Sequence, residues 1–301
     1  MSVSQQIAQL QGLLELRRWN EALRRAQDLI AADPERPDGY YFLGRAQQQL
    51  GWHQKAVSAF DLAIAKSPRA YFFVHKSHSL RELKRGSDAL KAAEEAVRLA
   101  PEDGPSHMSL ALSAQLLGDR DRADTERRHA VRLGPSNANL HMLSGYILLK
   151  QKRYKEAEHA LRKSLELDPN APLTFNNLGV ALQNQGRKED AALAYKSAVL
   201  LDPTLRLAKR NTHAVMQSMF GKLGGVGVSL WVLLKLAQGL AAANLVTRAS
   251  GGSAIAAGLT LVGAATWVVL HFRKRQRLRA RNPELLALYQ RLEADRKAGR
   301  L

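Results

Sequence analysis

Apolar and small residues recur along residues 3–205 at the spacing of amphipathic helices, and prolines interrupt the pattern at nearly constant intervals. The prolines are Pro34, Pro68, Pro101, Pro135, Pro169 and Pro203, separated by 34, 33, 34, 34 and 34 residues. A proline stops a helix because its ring clashes with the preceding turn and its backbone lacks an N–H. The pattern therefore predicts six helical hairpins with limits at 3–36, 37–69, 70–103, 104–137, 138–171 and 172–205.

Small residues recur at fixed places inside each predicted hairpin. The second helix carries Ala22, Ala56, Ala89, Ala123, Ala157 and Ala191, and a later small residue at Ala63, Ala96, Ala130, Ser164 and Ala198. The first helix carries Gly44, Gly145 and Gly179 in one slot, with Ser77 and Ala111 as substitutes. Small side chains allow two helices to pack closely, so each unit is expected to be a tight pair. Glycines at Gly51, Gly86, Gly118 and Gly186 are expected in the turns between helices.

The most regular unit ends at Pro203 and shows the full motif. It contains Phe175, Leu178-Gly179, Ala191, Tyr195 and Pro203 in that order. This order within a period of 34 residues resembles the tetratricopeptide repeat, and the resemblance extends over about two-thirds of the chain. It implies an all-α fold, a right-handed α-α superhelical solenoid of helix pairs in which neighbouring units share one core. Members of the family act as scaffolds and bind protein ligands in a groove lined by the first helices.

The groove positions of the family fall on a mostly aromatic and aliphatic set in this sequence. The resemblance implies a protein-binding groove formed by Tyr41, Phe42, Arg45, Tyr71, His75, His78, Met108, Met142, Tyr146, Asn176 and Asn177. Tyrosine and methionine suit an amphipathic helix or an extended peptide. The clamp of Lys, Asn and Arg that chaperone-binding members close on a C-terminal carboxylate is not supported, because these positions carry Arg45 and no lysine. The alternative interpretation is that these residues pack between repeats.

No motif in the sequence indicates catalysis or metal binding. The chain has no cysteine, which excludes disulfides and thiolate metal sites. His75 and His78 have metal-compatible spacing but no carboxylate partner in the motif, so they are interpreted as polar groove residues. No His-Glu-x-x-His, Gly-x-Ser-x-Gly or phosphate-loop motif is found. We therefore expect no enzyme activity, no catalytic or metal site, no cofactor and no small-molecule substrate.

The last third of the chain differs from the repeats in charge and hydropathy. Residues 206–301 contain 16 Lys or Arg and three Asp or Glu, so they hold most of the formal net charge of +18. Residues 206–220 are predicted to form an amphipathic helix that caps the last repeat. Residues 221–272 contain two apolar runs, about 223–246 and 252–272, that are long enough to span a membrane. The first run is the weaker candidate, because it includes Lys235.

A basic tail, 273–301, follows the second apolar run. Its cluster consists of Arg273, Lys274, Arg275, Arg277, Arg279 and Arg281. The positive-inside rule then places the repeats and the C-terminus in the cytoplasm, with Trp231, Trp267 and the basic cluster in contact with membrane lipid. A short helix that begins at Pro283 is left with four locations: the membrane surface, the solenoid, a partner, or the groove of its own chain.

The sequence thus predicts a membrane-anchored interaction scaffold with a protein or peptide ligand and anionic lipid head groups as partners. The competing prediction is a soluble adaptor whose hydrophobic hairpin packs internally and whose basic tail binds nucleic acid or another polyanion. Aromatic residues that stack on bases are not interleaved with the basic cluster, which disfavours nucleic acid as the partner.

Overall fold

The computed structural model describes residues 2–220 and 282–299, and this part of the chain is all-α. It contains fourteen helices, numbered here α1 to α14. Their bounds are Val3–Glu15, Trp19–Ala32, Pro37–Gln49, His53–Lys66, Ala70–Glu82, Gly86–Leu99, Gly104–Leu117, Arg120–Leu133, Ala138–Lys150, Tyr154–Leu167, Pro172–Asn184, Lys188–Leu201, Arg206–Phe220 and Pro283–Lys297. Short turns join α1 to α2, α3 to α4, and so on to α11 and α12, and the two helices of each pair pack together. The predicted all-α fold of helix pairs is confirmed, whereas the domain limits stay a prediction.

The chain forms two compact units, Met1–Leu167 with α1–α10 and Asp168–Leu301 with α11–α14. In the first unit, the first helices of successive pairs (α1, α3, α5, α7 and α9) pack against one another. Each second helix packs against its own partner and against the first helix of the next pair. The first helices therefore form a continuous layer. We call the surface of this layer that the second helices leave uncovered the first-helix face.

A residue with left-handed backbone conformation lies in the turn of every helix pair. These residues are Arg17, Gly51, Lys84, Gly118, Lys152 and Gly186, with φ between 57° and 84°. Glycine adopts this conformation without a steric penalty, whereas a residue with a Cβ pays roughly 1–2 kcal/mol. The expectation that Gly86 lies in such a turn is wrong. Gly86 is the first residue of α6 and is buried against Leu117, while Lys84 takes the left-handed position.

The repeated small residues lie where the two helices of a pair meet. The alanines of the first slot, from Ala22 to Ala191, are all fully buried. A Cβ added at Gly44 would lie 2.7 Å from Phe60, and one added at Gly145 would lie 2.5 Å from Leu161. Both values are far below van der Waals contact. The glycine slot is therefore needed for close approach of the second helix.

The second unit ends in two further helices. Helix α13 packs against α12 and α11 and buries Ala208 and Val215 completely. Helix α14 packs against α12 and buries Leu285 and Leu292, which lie seven residues apart on one helical face. Of the four locations considered for the last helix, the structure shows docking on a second helix of the repeats.

The predicted membrane localisation, with the repeats and C-terminus in the cytoplasm, is contradicted by the length and hydropathy of the described helices. None of the helices in residues 2–220 and 282–299 has the length and apolar character needed to cross a bilayer. They contain 13 to 15 residues, whereas a spanning helix needs about 20. The two runs that motivated the prediction, 223–246 and 252–272, lie outside the described residues.

Candidate functional site

On the first-helix face of the first unit, helix α7 packs between α5 and α9. Helix α7 is buried along its whole central part, Ser106 to Ala114. The flanking helices instead present exposed side chains: Tyr71 and His78 on α5, and Tyr146 on α9. Tyr71 is 39% exposed and Tyr146 is 38% exposed. Exposed aromatic residues on α5 and α9 thus flank the buried helix α7, and we call this stretch of the first-helix face the α5–α7–α9 furrow.

One side of the furrow is continuous with an aromatic cluster between α3 and α5. The ring of Tyr41 lies 4.9 Å from that of Tyr71 and 5.1 Å from that of Phe72, measured between centroids. The Tyr71 hydroxyl accepts a hydrogen bond of 2.9 Å from Arg69, whose Nη1 also bonds Asp38 at 3.0 Å. Tyr71 is thus fixed at its ring edge and at its hydroxyl, although much of its side chain remains accessible.

Polar side chains tie α3 to α5 beneath this cluster. Nη1 of Arg45 donates to the Tyr41 hydroxyl at 2.7 Å and lies 3.2 Å from Nε2 of His75. A guanidinium only donates, so Nε2 of His75 accepts and its neutral ring carries the proton on Nδ1. Burial, together with the Arg45 charge, holds the pKa of His75 well below its usual value, which keeps the ring neutral at pH 7. Gln48 adds bonds to the His75 carbonyl and the Ser79 hydroxyl, at 2.9 and 2.8 Å.

Arg81 extends from α5 to α7 in the furrow, and the sequence analysis did not identify it. Its Nη1 lies 3.2 Å from the Ser77 hydroxyl and 3.4 Å from the Ser109 hydroxyl on α7. Burial lowers the pKa of Arg81 to about 10. Arg81 follows His78 by three residues and shares its side of α5, so a search one turn further along each first helix would have found it.

The predicted groove residues differ greatly in exposure. Four are buried, four are partly buried and three are exposed. The buried ones are Tyr41, Phe42, Met108 and Asn176; the partly buried ones are Arg45, His75, Met142 and Asn177; the exposed ones are Tyr71, His78 and Tyr146. Phe42 and Met108 belong to hydrophobic clusters between helices, and Asn176 accepts a hydrogen bond of 2.9 Å from Asn211 on α13. For these three the alternative interpretation, packing between helices, fits their position.

The residues expected to contact lipid lie outside the described part of the chain. They are Trp231, Trp267, Arg273, Lys274, Arg275, Arg277, Arg279 and Arg281.

Two buried histidines, His107 and His141, bond to the backbone of the preceding turn. His107 lies 2.8 Å from the Pro101 carbonyl through Nε2, and His141 lies 2.8 Å from the Pro135 carbonyl in the same way. Because a carbonyl only accepts, both rings donate from Nε2 to a proline of the repeated ladder. Across residues 2–220 and 282–299, no group of three or more His, Asp or Glu side chains is arranged to hold a metal ion.

Models of the tetratricopeptide repeat match both units of the chain. A tetratricopeptide repeat model matches residues 7–71, a TPR repeat model matches 145–186, and a further tetratricopeptide repeat model matches 174–205. The chain is also similar to an inactive TPR repeat-containing thioredoxin from Arabidopsis thaliana, with 32% identity over 101 residues. That alignment covers 33% of this chain and only 14% of the relative.

Solved structures show the same fold. A tetratricopeptide repeat protein from Parabacteroides merdae superposes with a TM-score of 0.61 at 13% identity, over 70% of this chain and 83% of its own. A chain of the APC/C hetero-tetramer Cut9–Hcn1 gives 0.59 at 18% identity, over 70% of this chain and 42% of that one. A TPR protein from Thermus thermophilus gives 0.53 at 23% identity, over 62% and 98%. These identities support the fold alone, and tetratricopeptide repeat proteins are generally non-enzymatic scaffolds.

Proposed function

We propose that this tetratricopeptide-repeat chain is a protein-interaction scaffold that binds a peptide or a helix of its partner on the first-helix face. The observation that supports this most strongly is the α5–α7–α9 furrow, where exposed Tyr71 and Tyr146 lie on the helices either side of α7. Tyrosines are enriched among the residues that dominate binding energy, because they offer a large contact area with few rotatable bonds. No catalytic role is proposed.

The dimensions of the furrow suit such a ligand. Neighbouring packed helices lie about 8–10 Å apart, so α5 and α9 are separated by roughly 16–20 Å across α7. An α-helix with its side chains measures about 10–12 Å, and an extended peptide is narrower. A ligand of either kind that lies over α7 spans much of the separation between the helices that carry Tyr71 and Tyr146.

Both tyrosines are also held in place before any ligand arrives. Tyr71 is fixed by Arg69 and by the Tyr41 ring, and Nζ of Lys150 lies 5.2 Å from the centre of the Tyr146 ring. Side chains that are already ordered lose less conformational entropy on binding, at about 0.5–1.5 kcal/mol per side chain. Because the side chains of Tyr71 and Tyr146 are already ordered, they are better suited to ligand recognition than freely rotating aromatic side chains would be.

Replacing the exposed residues of the furrow tests this function. Peptides selected on the full chain from a random display library are expected to bind the variant Tyr71→Ala, His78→Ala, Tyr146→Ala at least about 10-fold more weakly, since truncating a dominant interface residue typically costs 2 kcal/mol or more. Fluorescence anisotropy measures the affinities.

The matched control is Leu62→Ala, which removes an apolar side chain that is 49% exposed on the second helix α4. We expect it to bind the selected peptides as the unmodified chain does. If the triple variant keeps full affinity while circular dichroism shows an intact fold, the first-helix face is not the binding site.

A further inference from the structure

Eight arginines of the first unit are buried or partly buried, and two of them lack the carboxylate partner that the other six have within the described residues. Six of the eight form ion pairs with a carboxylate, at 2.5 to 3.0 Å. The pairs are Arg36–Asp33, Arg69–Asp38, Arg122–Glu94, Arg127–Asp124, Arg153–Glu156 and Arg162–Glu158. Arg45 and Arg81 have no carboxylate partner among residues 2–220 and 282–299, and both lie on the first-helix face.

Both arginines use only one of their three nitrogens. Every hydrogen bond of Arg45 and Arg81 within the described residues comes from Nη1, and every partner is uncharged. In each residue the edge formed by Nε and Nη2 therefore has no acceptor. In Arg81 this edge holds two parallel N–H groups, the arrangement that binds a carboxylate through both of its oxygens, whereas in Arg45 protein atoms cover Nε and leave Nη2 for a ligand.

Both guanidinium groups are therefore charged groups with few hydrogen-bond acceptors around them. Nε of Arg45 is buried and has no hydrogen-bond partner. Burial also disfavours the charge of Arg81, whose pKa falls to about 10, although Glu82 and Tyr146 raise it in part. An anion beside either guanidinium would offset this burial of charge and accept from Nη2, which has no acceptor in either residue.

Carboxylates lie near both arginines without pairing to them. Arg45 lines a cleft of about 370 Å³ together with Gln11, Trp19 and Glu15. Glu15 makes no ion pair with Arg45, and Glu82 raises the pKa of Arg81 without making an ion pair with it, so within residues 2–220 no carboxylate occupies either guanidinium. Burial lowers the pKa of His78 on α5, and the charges of Arg81 and Arg45 lower it further while Glu82 raises it, so both arginines act on this one part of the face.

We propose that the ligand of the first-helix face is an acidic peptide whose Asp or Glu side chains bind Arg45 and Arg81. This inference rests on the proposed function and names the chemistry of its ligand. Two separate arginines on successive first helices call for two anionic groups, whereas a chain terminus supplies one carboxylate. Neighbouring helix axes are about 8–10 Å apart and an extended chain rises about 3.3 Å per residue, so the two acidic residues should lie roughly two to four positions apart. Tyr71 and Tyr146 beside them accept apolar residues of the same peptide.

A pair of blocked peptides tests the proposal on the full chain. One fluorescein-labelled peptide, acetylated and amidated, alternates Glu with Leu, and the second carries Gln in place of every Glu. We expect the Glu peptide to bind at least about 10-fold more tightly, since hydrogen bonds between charged groups are worth roughly 1.5–3 kcal/mol. Arg45→Gln and Arg81→Gln should each lower the affinity for the Glu peptide about 10-fold. The affinity of Arg81→Lys should lie between that of Arg81→Gln and that of the unmodified chain, because lysine keeps the charge but lacks the planar guanidinium.

Arg98→Gln is the control, since Arg98 is exposed and paired with Glu95 on the second helix α6. It makes the same change in charge and should bind the Glu peptide unchanged. Equal or absent binding of the two blocked peptides overturns the proposal, as does an equal loss in Arg98→Gln. Stronger binding of the Gln peptide with a free C-terminus, or of inorganic phosphate, would assign the arginines to another anion and overturn it as well. In each of these cases the proposed function stands if selected peptides still depend on Tyr71, His78 and Tyr146.

Discussion

Gly145→Val is expected to lower the free energy of unfolding by about 2–3 kcal/mol and to shift the urea midpoint of the full chain accordingly. The Cβ of any residue at this position would lie 2.5 Å from Cγ of Leu161 and 2.8 Å from its Cδ2. Leu161 lies on α10 and is fully buried, and the atom at 2.5 Å is its branching carbon and not the flexible end of the side chain. Overfilling a packed interior typically costs about 1–3 kcal/mol, and the modest gain in helix propensity over glycine does not offset it.

Gly12→Ala is the matched control, because Gly12 is also helical but a Cβ there meets no atom within 4 Å. We expect this variant to be more stable by about 0.5–1 kcal/mol, since alanine restricts the unfolded chain and favours the helix. If both variants unfold at the urea concentration of the unmodified chain, then α9 and α10 are not packed as closely as described.

Asp124→Asn is expected to destabilise the protein by about 2–3 kcal/mol at pH 7. Oδ1 of Asp124 accepts hydrogen bonds from Nη2 of Arg127 at 2.6 Å and from Nη1 of Arg153 at 2.8 Å. Arg127 is 9% exposed and also donates to the Ser144 hydroxyl on α9. Asp124 thus connects α8 to the turn between α9 and α10 in the next helix pair. Removing its charge leaves a buried guanidinium uncompensated, and breaking such a pair is far more destabilising than its net contribution suggests.

The effect of Asp124→Asn should depend on pH. Burial raises the pKa of Asp124, but hydrogen bonds and charge from Arg127 and Arg153 outweigh it and hold the pKa below its usual value. A carboxyl whose pKa is depressed on folding stabilises the protein above its unfolded pKa, near 3.9, and loses that contribution as the pH falls through the folded pKa. The stability difference from the unmodified chain should be constant between pH 5 and 8 and should narrow below about pH 4.

Glu95→Gln serves as the control for Asp124→Asn, because its ion pair with Arg98 is exposed and should be worth less than about 1 kcal/mol. Urea unfolding at a series of pH values measures all three proteins. A difference that stays constant down to pH 3 would contradict the role assigned to the Asp124 carboxylate.

The repeat pattern predicted the helix pairs well, because the residues that set the fold act locally. Prolines end helices, and the alanine and glycine slots fix where helices touch, so both leave a periodic trace in the sequence. The turn was less predictable. Any residue can be forced into the left-handed conformation by the surrounding helices, and Lys84 occupies that position although Gly86 is only two residues away.

The binding site was predicted only in part. A position in the repeat indicates which side of its helix a residue lies on, but not how far the neighbouring helices bury it. Tyr71 and Tyr146 are exposed as a groove requires, but Met108 occupies an equivalent position on α7 and is 1% exposed. The difference arises because Met108 packs in a hydrophobic cluster with residues of α8 and α9, among them Ala130 and Ile147. Arg81 was missed because its significance lies in the carboxylate that it lacks, and a missing partner cannot be recognised before the neighbouring helices are placed.

The docking of α14 was also beyond the sequence. Its apolar residues Leu285 and Leu292 predicted an amphipathic helix, but the matching surface on α12 lies far away along the chain. Several partners fit an apolar stripe equally well, so only the fold identifies the one that is used.

Site-specific photocrosslinking tests the central claim, ligand binding on the first-helix face, most directly. A photoreactive phenylalanine analogue is placed singly at Tyr71, Tyr146 or Leu62 in the full chain, and a peptide selected on the unmodified chain is added before irradiation. Crosslinks at positions 71 and 146 and none at 62 are the predicted result. Crosslinks at position 62 with none at 71 and 146 would contradict binding on the first-helix face and place the ligand on the second helices.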